Sequence, residues 1–340
     1  MSLRKSRAAV ASSPEVENAA EELLRKGNAV DAAVAGVFAA CALAPGVLLG
    51  PVQILIGGGG VGLRALDGRV RQPGIGAPRP RGFQSDEEVP EAAKVGVPWL
   101  PATLSVAVAT AGTATFAQVL APALALAKGS PRHEVLAKIA ARGPRAVEER
   151  PLGAELLALC GRPAGGLLTS DDLSSQRPEV LAASRRSVDG GGRVTVLLPW
   201  ATDDGGMPAP PAARVAVATA RAVACVDRFG AFAIACWDEG IDGLTIAELG
   251  LRAPFFAEPV MRGATRVRPG DARPAAAPIA LVGGESGPQL GFASFGAGDA
   301  YDVLRGAIRA FVTTNQIESH GDATLIAVTH IANTASVFRS

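Results

Sequence analysis

Three segments near the start of the chain decide its fold: Val10-Ala-Ser-Ser-Pro14, Glu22-Leu-Leu-Arg-Lys-Gly-Asn-Ala-Val-Asp-Ala-Ala-Val34 and Ile56-Gly-Gly-Gly-Gly60. Ser13 is a strong N-cap. Pro14 suits the first helical position, and Glu15 and Glu17 favour the positive end of the helix dipole. Val16, Ala19, Ala20, Leu23 and Leu24 fall on one stripe, and Gly27 stops the helix. Asp31 then sits in the first turn of a second, mostly apolar helix reaching about Leu43. Residues 53–64 read as strand, glycine run, strand, and Arg69-Val-Arg71 completes a hairpin.

Further along, residues 73–93 are rich in Pro, Gly and charge and read as a surface loop. Arg221–Val226 and Ala231–Trp237 are apolar or alternating segments joined by Asp-Arg-Phe-Gly230, the spacing of a hairpin. The 340 residues allow one large domain or two small ones. Charge is balanced at 33 basic and 32 acidic residues, with no basic run, which argues against a nucleic-acid partner. Hydrophobic content is 48% with only 4% aromatic, so the core is built mainly from Ala, Val and Leu.

Cys41, Cys160, Cys225 and Cys236 have no metal spacing and read as small buried hydrophobes, with a Cys225–Cys236 pair left open across neighbouring strands. His133, His320 and His330 show neither triad nor metal spacing. No cofactor or metal is expected. The apolar stretch a signal peptide needs is cut at Ser12-Ser13-Pro14, and residues 29–49 are interrupted by Asp31, Pro45 and glycines. A cytoplasmic protein without a membrane span is therefore the default.

The order of these segments resembles the gamma-glutamyltranspeptidase family of N-terminal nucleophile hydrolases. Val95-Gly-Val-Pro98 is similar to the family's "GVPG", and residues 115–127 to its "LLAPAIxLA" helix. Gly166–Leu173 with Arg177-Pro178 is similar to "GLLTxEDLxxYxP". Val194–Pro199 resembles the strand before "PPxSSGG", whose place holds Asp203-Asp204-Gly205-Gly206. Arg268-Pro-Gly and Arg273-Pro274 resemble "PGKRPxSSMAPT", and Ala293–Gly298 resembles "GSPGGS". The resemblance runs from about residue 10 to 315.

It implies an α+β fold, a four-layer αββα sandwich of the N-terminal nucleophile hydrolase type. It implies a single domain over 1–340, with a large-subunit-like part (1–206), a shortened linker (207–218) and a small-subunit-like part (219–340). The substrate class it implies is a small acyl or amide molecule. Family members cut themselves before a threonine whose freed amine then activates its own hydroxyl, since a hydroxyl near neutral pH needs a base beside it. Aligning Val226-Asp227 with the family's "VD" puts the nucleophile's place on Ala220, with Thr219 one residue early. A one-residue shift in a strand reverses the side chain. Thr219 is therefore either a nucleophile restored by a bulge or an ordinary strand threonine.

On the substrate side, the family's carboxylate-binding arginine falls on Gly74. Arg71 or Arg79 stands in for it, or both are solvated loop charges. Asp238, Glu239 and Asp242 are the acids nearest the segment that grips the substrate amine, or are simply exposed. Ala275-Ala276 replaces the family's serine pair. Ser294, Gly296 and Ala297 lie in the turn that either supplies backbone amides for an oxyanion hole or simply joins a strand to a helix. The functional expectation is a diverged acyl-transfer, hydrolysis or cyclisation protein acting on a non-glutamyl substrate. The alternative is an uncleaved, non-catalytic homologue binding a small molecule or protein. Loss of the linker helices leaves a homodimer open.

Overall fold

The computed structural model describes residues 5–78, 80–188, 192–211 and 217–340. Its strands are β1 (Ala8–Ala11), β2 (Val52–Gly58), β3 (Arg64–Gly68), β4 (Val180–Ala182), β5 (Ser184–Val188), β6 (Arg193–Leu197), β7 (Thr202–Asp204), β8 (Met207–Ala209), β9 (Ala220–Val226), β10 (Ala231–Asp238), β11 (Gly243–Ile246), β12 (Leu251–Pro254), β13 (Ile279–Gly284), β14 (Gly287–Phe295), β15 (Thr324–Ile331) and β16 (Thr334–Arg339). Its helices are α1 (Pro14–Lys26), α2 (Ala29–Leu43), α3 (Leu100–Ala111), α4 (Phe116–Ala127), α5 (Arg132–Arg142), α6 (Leu152–Cys160), α7 (Ser170–Ser174) and α8 (Ala300–Thr314).

The first two helices form as their local signals direct. Ser13 caps α1 by accepting from the Val16 amide, and the expected stripe from Val16 to Leu24 is buried. Asn28 and Asp31 cap α2 reciprocally. Asp31, fully buried, also receives the Thr113 amide, the Thr113 hydroxyl at 2.7 Å and the Ala114 amide, so one carboxylate ties the start of α2 to the end of α3. The 69–71 segment does not continue the β2–β3 hairpin. β3 ends at Gly68, and Arg71 bridges instead to Val97 and Ala272.

Two six-stranded antiparallel sheets dominate, ordered β1-β9-β10-β2-β3-β4 and β16-β15-β14-β13-β6-β5. In the first sheet the expected hairpin β9–β10 inserts between β1 and β2, so strands distant in sequence share one sheet. Alternation sorts the side chains. On β9, Val223 and Cys225 pack with α1 and α2, whereas Ala222, Ala224 and Val226 meet the second sheet. On β14, Ala293 and Phe295 face the first sheet, whereas Leu290 and Phe292 pack on α8, with Phe292 edge-on to Phe311.

Small side chains let the sheets approach closely. A Cβ at Gly291 would lie 2.6 Å from Ile234 Cδ1 across the interface. All four cysteines are free. Cys225 and Cys236 lie on opposite faces of the sheet, which removes the disulfide left open by the sequence.

Candidate active site

A polar row crosses the apolar interior between the sheets. In Val52-Gln53-Ile54-Leu55-Ile56, Ile54 and Ile56 pack with the helices, so Gln53 and Leu55 point between the sheets. Gln53 stands opposite Asp67 on β3 and Cys236 on β10, and Cys236 stands opposite Ala222. Gln53 is 2% exposed, yet its amide is satisfied. Its Nε2 donates to the Ala276 carbonyl at 3.2 Å, and its Oε1 accepts from Trp200 Nε1 at 2.7 Å. The Tyr301 hydroxyl accepts from the Ala277 amide at 2.9 Å. The Ala275–Ala277 segment is thereby pinned over the row through its backbone. Burial pushes the Cys236 thiol well up, so it stays protonated and is no nucleophile.

At one end of the row Asp67 binds two guanidinium groups. Arg69 is bidentate at 2.9 and 2.8 Å, and Arg71 Nη2 lies 3.1 Å away. Burial alone would raise the Asp67 carboxyl, but the hydrogen bonds and charge of Arg69, with the charge of Arg71, hold it below the ordinary aspartate range. Burial likewise lowers Arg71, and Asp67 opposes that shift. Arg69 lies over Trp200 and Arg71 over Trp99, at 5.0 and 4.1 Å from the ring centroids. Arg71 is 9% exposed, and its buried Nε has no partner among the described residues. Much of Arg71 is thus spent on Asp67, and one donor is left over.

At the other end the neighbouring row pairs Asp238 with Ala220. Ala220 opens β9 and is fully buried between the sheets. Thr219 lies in the turn before β9, where strand alternation does not dictate its direction. Arg221 braces this turn, its Nη1 donating to the carbonyls of Ala218 and Ala220 at 2.8 and 2.7 Å.

The Thr219 hydroxyl oxygen is buried and makes no hydrogen bond of normal geometry among the described residues. It stands near enough to the Asp238 carboxyl to be one of the groups that lower its pKa. Burial nevertheless dominates and raises Asp238 above the ordinary value, although the Gly240 amide donates to Oδ1 at 2.8 Å and Arg221 is close. Asp238, read from sequence as either a substrate contact or an exposed acid, is 1% exposed.

The remaining candidates are scattered. Arg79 lies outside the described residues. Glu239 is half-buried, and its carbonyl accepts from Arg252 Nη2 at 3.0 Å. Ser294 alternates with Ala293 and Phe295, so it stands on the α8 side of β14, away from the polar row. Its hydroxyl donates to the Thr324 carbonyl at 3.2 Å.

Gly296 and Ala297 follow the end of β14, the end that also holds Pro278 and hence the Ala275–Ala277 segment. Gly296 has φ 90°, a conformation that favours glycine. Neither its amide nor that of Ala297 donates to a backbone carbonyl in the turns and loops described. The two amides thus have no protein acceptor among the described residues.

Sequence reading missed Gln53, Asp67, Trp200 and Tyr301. A glutamine in an otherwise apolar strand was the one local signal. No group of His, Cys, Asp and Glu suited to a metal ion occurs among the described residues. No helix among them is long and apolar enough to cross a membrane.

No protein-family model and no curated protein matches the sequence. Solved structures do match it. Cephalosporin acylase from Bacillus halodurans superposes with TM-score 0.69 at 14% identity, over 98% of this chain and 96% of that one. A structure of LmbA2991 gives 0.74 at 13% identity, over 99% and 97%. Helicobacter pylori gamma-glutamyltranspeptidase gives 0.50 at 21%, over 59% and 72%. Identities this low speak to fold, and over its whole length this chain has the fold seen in cephalosporin acylase, in mixed α and antiparallel β form.

Proposed function

We propose that this chain is a diverged relative of the gamma-glutamyltranspeptidases that transfers or hydrolyses the acyl group of a small non-glutamyl amide. Thr219 is its nucleophile. The observation that carries this reading is the Thr219 hydroxyl: buried, unpartnered among the described residues, and beside Asp238, while the Gly296 and Ala297 amides have no protein acceptor among the described residues.

After cleavage between Ala218 and Thr219, the freed Thr219 amine takes the hydroxyl proton as Oγ1 bonds to the substrate carbonyl carbon. The carbonyl π pair moves to oxygen, where backbone amides stabilise it. Collapse of this intermediate breaks the C–N bond, and the leaving amine takes the proton. Water or a second amine then releases the acyl group from the threonine ester. Arg71 faces an acidic group of the substrate, and Asp238 and Glu239 face its amine.

In this reading the two sheets and their covering helices form the four αββα layers of an N-terminal nucleophile hydrolase. The chain is one domain of two interleaved parts, 1–206 and 219–340, joined by the short segment 207–218.

A second reading, an uncleaved binder without acyl-enzyme chemistry, is favoured by Ala220 at the aligned nucleophile position and by the commitment of Arg71 to Asp67. The intact mass of freshly purified protein, beside Thr219→Ala, decides between them. Two fragments split before Thr219 in the native protein alone support the nucleophile. One unbroken chain in both proteins removes it and leaves binding.

A further inference from the structure

Off the polar row, a cavity of about 350 Å³ opens between the loop that follows Arg71 and the segment from Arg266 to Pro269. Arg71 turns to Asp67, whereas Gln72, the next residue, lines this cavity. Pro73, Pro78, Pro80, Leu167, Val260 and Pro269 give it an apolar wall. The volume lies at the lower end of small-molecule pockets, and a mostly apolar wall with a few polar groups is their usual make-up.

The wall is held by bonds within the protein. Gln72 Nε2 donates to the Glu258 carbonyl at 2.8 Å, and its Oε1 accepts from the Glu258 amide at 2.9 Å. The Gly270 amide donates to the Gln72 carbonyl at 2.8 Å, and the Gly74 amide to the buried Asp172 carboxylate at 2.9 Å. Each proline has its φ fixed by its ring. A ligand therefore finds the wall already ordered, and loop ordering is one of the main costs of binding.

Charge decides what the cavity takes. Its wall includes two arginines, Arg266 and Arg268, and no carboxylate. Arg266 is half-buried and Arg268 exposed. Neither makes an ion pair among the described residues. The acids around the cavity are engaged elsewhere. Glu258 pairs with Arg273 at 2.7 Å, Asp172 accepts the Gly74 and Ile75 amides, and Asp271 Oδ2 accepts the Arg268 backbone amide at 3.3 Å. Asp171 lies against Gly76, which is not part of the wall. A guanidinium fork suits an anionic oxygen pair, and proline rings offer flat apolar faces to a planar body. We propose that this cavity binds a small aromatic acid, its ring against the prolines and its anionic group toward Arg266 and Arg268.

Calorimetric titration of the full chain with 2-naphthoate as probe tests this. The comparators are 2-naphthamide, which keeps the ring and loses the charge, and propionate, which keeps the charge and loses the ring. 2-Naphthoate should bind with a sub-millimolar Kd, and each comparator at least about tenfold more weakly. The double variant Arg266→Ala, Arg268→Ala should lose at least about tenfold in 2-naphthoate affinity and leave 2-naphthamide unchanged. Val267→Trp fills the cavity without altering its charge, and should abolish binding of 2-naphthoate at an unchanged Tm. Neither variant touches Thr219 or Arg71, so a ligand seated in the polar row would be insensitive to both. Failure of the wild-type protein to bind 2-naphthoate, equal binding of 2-naphthamide, or undiminished binding by the double variant overturns the proposal.

Discussion

Asp172→Asn is the sharpest test of how the loop beside the candidate site is held. Asp172 is fully buried at the start of α7. Oδ2 accepts from the Gly74 amide at 2.9 Å and the Thr169 amide at 2.9 Å, while the Thr169 hydroxyl donates to the Ile75 carbonyl at 2.8 Å. Oδ1 accepts from the Ile75 amide at 2.9 Å. Three amides thus converge on one carboxylate, and two of them belong to a loop 97 and 98 residues away in sequence.

Asparagine keeps the shape and removes the charge. With its oxygen at the Oδ2 position, two bonds survive as neutral ones, each weaker by about 1 kcal/mol. The NH2 group then faces the Ile75 amide, leaving a buried donor unmet at about 1–3 kcal/mol. Because neighbouring terms do not add fully, the expected loss is about 3 kcal/mol. Urea denaturation followed by circular dichroism gives the magnitude. Hydrogen exchange at the Gly74 and Ile75 amides should accelerate beyond the global loss, because these bonds close the loop locally. Asp171→Asn, an exposed neighbour, should stay within about 0.5 kcal/mol. A cost below about 1 kcal/mol for Asp172→Asn, with unchanged exchange at Gly74 and Ile75, would refute the reasoning.

Other outcomes follow from the same geometry. Burial raises the Asp238 pKa above its unfolded value, so the folded state takes up this proton first on acidification. Its penalty to stability is therefore full above the raised value, falls as pH drops through it, and is gone near the ordinary aspartate value. Asp238→Asn should raise the Tm at pH 7–8 and lose that advantage toward pH 4, measured by thermal scans across pH about an ordinary aspartate pKa of about 3.9. Asp67→Ala strips the shared partner from two largely buried guanidinium groups and should cost about 3–5 kcal/mol in chemical denaturation. A replacement of the Gln53 amide by Leu should cost about 1–3 kcal/mol, because the Trp200 N–H and the Ala276 carbonyl lose their partner. Trp200 emission reports that change directly.

Much of the scaffold was legible in the chain itself. Ser13, Pro14, Gly27 and Asp31 mark helix ends because capping is settled within three or four residues. The β9–β10 hairpin was legible because its turn and alternation are local. The chemistry was less so. Whether Asp238 is exposed depends on the second sheet covering β10, and no residue near it in sequence reports that. The 166–173 motif was visible, but its purpose was not. Asp172 caps its own helix and also holds a loop almost a hundred residues earlier.

Thr219 marks the boundary most clearly. Alternation alone turns it away from the interior, yet it sits in a turn rather than in β9, and its hydroxyl lies beside Asp238. For Ser294 the same alternation, once the pairing of β14 was set, put the side chain on the α8 face. Periodicity and caps are short-range and belong to the sequence. The direction, burial and partners of a site residue depend on contacts across 200 residues or more, as in the bond from Gln53 to the Ala276 carbonyl, and only the assembled sheets decide them.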